Sequence, residues 1–381
     1  MTVKPMTPRQ RLLAAMRCEQ PDRVPIQVRG VYPTHPDWMK DHHESYRVLH
    51  DLVRDRCDPV HPFAMGSGWF GIDRDSVNRR VDEVPVDADW VEDVVTIETA
   101  RGPLTRSFRR SLRGEPGFQM KHAVSSEEEA ERFLSIPVAP PRPNVDGFFE
   151  TVERVGERAL VIAEIGSDPI GLVQNLIGSE TLAIWSLTAR GMIERLLAAL
   201  VSRWTSFVER VLDAGVGPVL ATLGHELALP PLLAPNDFRD FVVDVEKPVM
   251  DMIHHHDCLV HVHCHYNLSK VLDGFVTMGV NCLHPVEAPP MGDIELAEAK
   301  RRLAGKVCIE GNLQIGELQE GTPAEIRETT RRIIEDASEG GGLILCPTAS
   351  PFWPTLSDRT RDNYRAFVEA AREFGVYGPT A

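Results

Sequence analysis

The sequence predicts one α/β domain over residues 1–381, a (β/α)8 TIM barrel with a β-rich insertion between its second and third strands. Three observations carry this. Short apolar runs rich in β-branched residues recur eight times, and helical periodicity follows most of them. A chain of 381 residues that is 43% apolar can bury a core of that size. The side chains best suited to chemistry fall at the C-terminal ends of the expected strands, the rim where barrel enzymes keep their active sites.

The strands are expected at Val24–Arg29, Pro59–Ala64, Ala159–Ile165, Gly217–Leu223, Leu259–His263, Asn281–Glu287, Lys306–Glu310 and Leu343–Pro347. Helices are expected at Ala189–Ala214, Pro235–His255, Leu268–Met278, Ile294–Leu303, Pro323–Ala337 and Asp358–Phe374, with Pro or Asp opening several and Gly near or just past their ends. The right-handed crossover rule leaves few topologies for such an alternation, and an open Rossmann-type sheet is the competing fold. From Val84 to His122 the rhythm breaks. There VPVDADWVEDVVTIETARGPLTRSFRR alternates and turns as a β-hairpin does, before a polar helix (SSEEEAERFL) and a proline-rich linker (IPVAPPRPN). This insertion is either a lid over the barrel mouth or a surface elaboration.

A formal net charge of −15 excludes the basic field that a nucleic-acid surface needs, so small molecules or proteins are the expected partners. No apolar run is long enough to span a membrane, and MTVKPMTPRQRLLAAMR lacks the features of a signal peptide, so a cytoplasmic location is expected. Seven scattered cysteines suit reduced thiols better than a disulfide framework.

Four side chains on the expected rim suit a Zn²⁺ ion: His263 and His265 in VHVHCHYN, Glu287 in CLHPVE and Cys346 in LILCPT. The two-residue period of a strand also puts His261 on the face of His263 and His265, with Val262 and Cys264 opposite. Residues two apart are separated by roughly 6.6 Å and those four apart by roughly 13 Å, so a pair can chelate while the third lies deeper or points elsewhere. His263 and His265, nearer the rim, are the better pair. With Glu287 and Cys346 they would neutralise Zn²⁺ in a tetrahedron. Gly66 to Gly71 match G-x-G-x-x-G, but no βαβ unit follows, and a rim loop is the better reading.

The segments TPRQRLLAAMRCEQPDRVPIQ, LLAPNDFRDFV, HVHCHYNLSKVLDGFVTMGVNCLHPVE, IEGNLQ and GGLILCPTASP followed by NYRAFVEAAREFG resemble the uroporphyrinogen decarboxylase superfamily, over nearly the whole chain. That resemblance implies a (β/α)8 barrel and two chemistries. One is the metal-free heme-pathway decarboxylase. The other is a zinc methyltransferase branch related to coenzyme M methyltransferases and cobalamin-independent methionine synthase. In the zinc branch a His-x-Cys pair, a later Glu and a distant Cys hold the metal. Here His263-Cys264-His265 replaces the pair, Glu287 matches the Glu, and Cys346 stands a few residues before the usual cysteine position, which is closest to Ala349. One thiolate is lost, and a harder Lewis acid that tolerates an oxygen acceptor results. Arg29 resembles an arginine of the decarboxylase branch, yet PFAMGSG stands where its acidic motif belongs, so the resemblance favours the methyltransferase branch.

The expected chemistry is therefore zinc-assisted methyl transfer to a thiol or other protic acceptor, with Glu287 as the displaceable ligand. Glu164 and Glu226 are the expected acid/base or orienting groups. Arg29, Glu310 and Asn312 are expected polar contacts, and Tyr32, Trp69, Phe70 and Trp353 apolar walls. The chain carries no corrinoid or S-adenosylmethionine motif, so the methyl group comes from a separate corrinoid protein or from a methylated substrate. Related enzymes are often dimers, which implies a homodimer. A carboxy-lyase acting on a carboxylated small molecule, and a non-catalytic binding barrel, are the alternatives.

Overall fold

In the computed structural model the described residues are 5–66 and 77–377. The strands, in chain order, are β1 (Val60–Ala64), β2 (Arg79–Pro85), β3 (Trp90–Ile97), β4 (Leu104–Ser111), β5 (Phe118–Lys121), β6 (Leu160–Ser167), β7 (Val219–Leu223), β8 (Leu259–His263), β9 (Cys282–His284), β10 (Cys308–Leu313) and β11 (Leu343–Pro347). Seven of them form one parallel sheet in the order β1-β6-β7-β8-β9-β10-β11. The order never reverses, so the sheet lacks the switch point of a doubly wound fold, and the Rossmann alternative is set aside.

The first expected strand, Val24–Arg29, forms no ladder, only a parallel bridge from Ile26 to Leu345. Gln27 N–H donates to Leu345 O at 2.8 Å and Leu345 N–H to Pro25 O at 2.9 Å. On the other edge Asp58 intervenes. Its N–H donates to Ile26 O at 2.6 Å, while its Oδ2 accepts the Ile26 N–H at 2.9 Å. A proline without a donor and a carboxylate in place of a strand carbonyl stop the ladder from spreading toward β1. Asp58 is completely buried, and Arg11 and Arg23 supply its counter-charges. The strand expected at Asn281–Glu287 is likewise shorter, ending at His284 because Pro285 has no N–H to donate.

Side chains alternate across the sheet. Val161, Ala163 and Ile165 of β6 face the outer core beneath the helices, whereas Leu160 and Ile162 face the inside of the curl. The inside is graded along its axis. Val60, Leu160, Val219, Cys282 and Cys308, at or near the strand starts, make an apolar floor with Leu12, Leu13 and Met16 of the helix Pro8–Met16. Each such large side chain contributes about 1.5–3 kcal/mol on full burial. Toward the strand ends the inward residues become Glu164, His261, His263 and Glu310.

Outside the sheet, the helices Pro323–Ala337 and Asp358–Phe374 have the expected bounds. A capping box opens the first, with the Thr322 hydroxyl accepting the Glu325 N–H and the Glu325 carboxylate accepting the Thr322 N–H. The expected helix Pro235–His255 is helical throughout but contains one wide turn at Arg239–Val243. Where a hairpin is expected at 84–122, β2 to β5 form a four-stranded antiparallel sheet. No helix among the described residues is long and apolar enough to cross a membrane.

Candidate active site

The inward residues of β1, β6, β7, β8 and β10 line a pocket together with Gln27, Arg29 and Tyr32. Arg29 has no carboxylate within ion-pair distance among the described residues, and its charge acts across the pocket on Glu164 and Glu310. Burial raises the Glu164 carboxyl above its ordinary value, although Arg29 opposes this. Burial likewise raises the Tyr32 phenol. Trp69 and Phe70 lie outside the described residues. Trp353 is not part of the pocket lining; its carbonyl accepts the Tyr46 hydroxyl at 2.6 Å.

At the ends of β8 and β9 three imidazoles gather. His284 Nε2 donates to Pro347 O at 3.1 Å, which leaves its Nδ1 as an acceptor in the neutral ring. That Nδ1 lies 2.8 Å from His263 Nδ1, so His263 donates there and keeps its own Nε2 lone pair. Burial and the Arg29 charge hold both rings neutral, His284 down to about 3 and His263 lower still. His265 is set the same way. Its Nδ1 donates to Glu287 Oε2 at 3.0 Å, and that oxygen also accepts the Tyr266 N–H at 3.2 Å. The His263 and His265 rings are perpendicular, with centroids 4.7 Å apart. A carbonyl or carboxylate that fixes one ring nitrogen is how metal-binding histidines are oriented.

Of the four expected ligands, His263 meets His265 ring to ring and His265 meets Glu287 through a hydrogen bond, but the three do not form a group with ligand atoms within 4.8 Å of one another among the described residues. Cys346 is not with them. Its Sγ donates to Gln27 Oε1 at 2.6 Å, and burial pushes its thiol well up. Among the described residues its ligand atom groups instead with His284 and Glu310, within 4.8 Å, and a second such group joins His261, Cys282 and Glu310. His261 lies deeper, as the strand period requires, with Nε2 donating to Glu310 Oε2 at 2.7 Å. Burial would raise Glu310, but this hydrogen bond and the Arg29 charge hold it down to about 2. Asn312, opposite Cys346 in the ladder, has a buried Oδ1 without a hydrogen-bond partner among the described residues. Glu226 stands in the turn His225–Ala228 after β7.

Sequence reasoning missed His284, though it sits two residues after the inward Cys282 and so shares its face. It also missed Gln27, which lies inside the expected strand Val24–Arg29 that forms only a bridge to β11.

No curated protein sequence matches the chain. Among solved structures, a methyltransferase from Methanosarcina mazei superposes with a TM-score of 0.61 at 15% identity, covering 97% of this chain and 99% of that one. At that identity the likeness speaks for the fold. A B12-independent methionine synthase from Shewanella sp. W3-18-1 aligns at 12% identity over 62% of this chain and 70% of that one, with a TM-score of 0.41. Residues 117–374 match the profile of the family described as uroporphyrinogen decarboxylase (URO-D). Since that match takes in more than half of the sequence, the chain belongs to the uroporphyrinogen decarboxylase family.

Proposed function

We propose that this protein is a zinc-dependent methyltransferase or demethylase of that family, passing a methyl group between a small-molecule or corrinoid-bound donor and a protic acceptor. The observation that carries the reading is the pair His263 and His265, whose adjacent rings are each fixed through Nδ1, which leaves both Nε2 atoms for a ligand. This donor chemistry fits Zn²⁺. His263 and His265 would hold the ion, and Glu287 would orient His265 through Oε2 while offering its second oxygen as the weaker, displaceable donor. Cys346 joins as fourth ligand only by exchanging its bond to Gln27. When bound, the ion supplies stabilisation of an acceptor anion, a thiolate or an alkoxide.

The remaining steps belong to the side chains. Arg29 binds an anionic group of the substrate, and Glu164, raised toward neutrality by burial, holds or returns a proton in the pocket. We read residues 24–28 as the eighth stave, which closes the curled sheet into a barrel around these groups. The Arg29 guanidinium lining the pocket also favours a second reading, a carboxy-lyase for a carboxylated small molecule. Metal analysis of the purified protein decides between them. About one equivalent of zinc at this centre, lost in His265→Ala, supports methyl transfer. No zinc, with turnover of a carboxylate, supports the lyase.

A further inference from the structure

A separate group of side chains meets behind the ends of β6 and β7. Asp168, His225 and Glu246 are each completely buried, and one ligand atom from each lies within 4.8 Å of the others. The local sequence builds this arrangement. Asp168 follows β6 and caps the helix Pro169–Ile177, its Oδ1 accepting the Gly171 N–H at 2.9 Å. A Cβ at Gly171 or Gly224 would stand 2.4 or 2.3 Å from that oxygen, so both positions must be bare for the carboxylate to fit. His225 opens the turn after β7, and its Nε2 donates to Glu246 Oε2 at 3.0 Å. Glu246 lies in the first turn of the helix Asp244–His255.

These bonds leave an unresolved juxtaposition. Whenever the ring is neutral with its proton on Nε2, His225 presents an Nδ1 lone pair toward Asp168 Oδ2, 4.0 Å away. Neither atom has a hydrogen-bond partner among the described residues, nor have Glu246 Oε1 and Glu226 Oε2 nearby. Two acceptors facing each other in a dry interior repel unless something positive lies between them. The separation exceeds a hydrogen bond but is within the reach of two metal–ligand bonds of about 2.1 Å each.

We propose that Asp168 and His225 bind a second divalent cation of the first transition row, with Glu246 as the positioning residue that fixes the His225 ring. The two carboxylates and a neutral imidazole balance a charge of +2, and the nitrogen-and-oxygen donor set suits Zn²⁺ or Mn²⁺. The ion would tie the ends of β6 and β7 to the helix Asp244–His255. It would do so beside Cys264, the buried residue between His263 and His265. The rival occupant is a proton on Nδ1. Burial opposes it, but Glu246 and Asp168 outweigh burial and raise His225 to about 9.

The test uses the full chain, stripped with a chelator and then crystallised with excess ZnCl2 or MnCl2. The expected result is an anomalous peak between Asp168 Oδ2 and His225 Nδ1 at the edge of the added metal. In solution, His225→Gln and Asp168→Asn should each lose one bound equivalent, while His265→Ala, in the other centre, keeps it. This makes the site independent of the zinc centre proposed above. A water or no density at that point with both metals overturns the proposal. So does wild-type metal content in His225→Gln or Asp168→Asn variants that melt cooperatively.

Discussion

The Nδ1 atoms of His263 and His284 stand 2.8 Å apart, and the bond from His284 Nε2 to Pro347 O decides which of them donates. His284 therefore acts on the site through His263 without a free lone pair of its own. Its replacement by alanine should leave zinc bound but weaken it by about 10- to 100-fold, the usual effect of losing the group that orients a ligand. Competition titration against a chromophoric chelator measures this, and unchanged affinity would remove His284 from the site.

His265 and Cys346 should differ. His265→Ala removes a proposed ligand of this centre and should lose the zinc equivalent held there. Cys346→Ser removes a thiol bonded to Gln27 and should cost much less zinc. Equal loss in both variants would show that the thiol leaves Gln27 for the metal, as the four-ligand tetrahedron requires.

Glu287→Gln keeps a weak oxygen donor while removing a negative charge. The variant should retain much of its zinc and lower the apparent pKa of a bound thiol acceptor. Calorimetry in buffers of different ionisation enthalpy reports the proton released when the thiol binds. No release with either protein, for a thiol that demonstrably binds, argues against metal activation of the acceptor.

Asp58 sits at the seam between β1 and residues 24–28, binding Arg11, Arg23 and the Ile26 N–H. Asp58→Ala leaves two arginines and a backbone donor without their partner and should cost about 3–5 kcal/mol. Urea unfolding is the measurement, and a loss below about 1 kcal/mol would show that water or another carboxylate replaces it.

Burial alone would raise the Asp22 carboxyl, but its hydrogen bonds from Arg11 outweigh this and hold it below the usual range. A depressed folded-state value contributes stability that is fully present above the unfolded value of about 3.9 and is lost as the pH falls below it. Asp22→Asn should therefore flatten the acid limb of the stability profile. Its midpoint near neutrality should drop, while the gap to wild type closes on acidification.

What the sequence revealed was what periodicity encodes. Seven of the eight expected strands form the parallel sheet, and the two-residue alternation placed His261 below His263 correctly. The eighth failed because Asp58 intervenes from thirty-two positions along the chain, a contact no local pattern announces. The sequence groups Cys346 with the histidines because all of them stand at strand ends. The Gln27 amide holds the Cys346 thiol instead, beside His284 and Glu310. Asp168, His225 and Glu246 escaped for a related reason, since each reads locally as a cap or a helix-surface residue and only packing makes them neighbours.

The helix Pro8–Met16 stoppers one end of the curled sheet with leucine and methionine, while the polar groups cluster at the other. Among the described residues the pocket is thus closed at its floor, and its doorway lies toward the strand ends. If the methyl donor is carried by a protein, docking that protein would block the doorway. A small acceptor would then have to enter first, and its methylated product could depart only after the carrier lets go. Compulsory order would follow from the architecture alone.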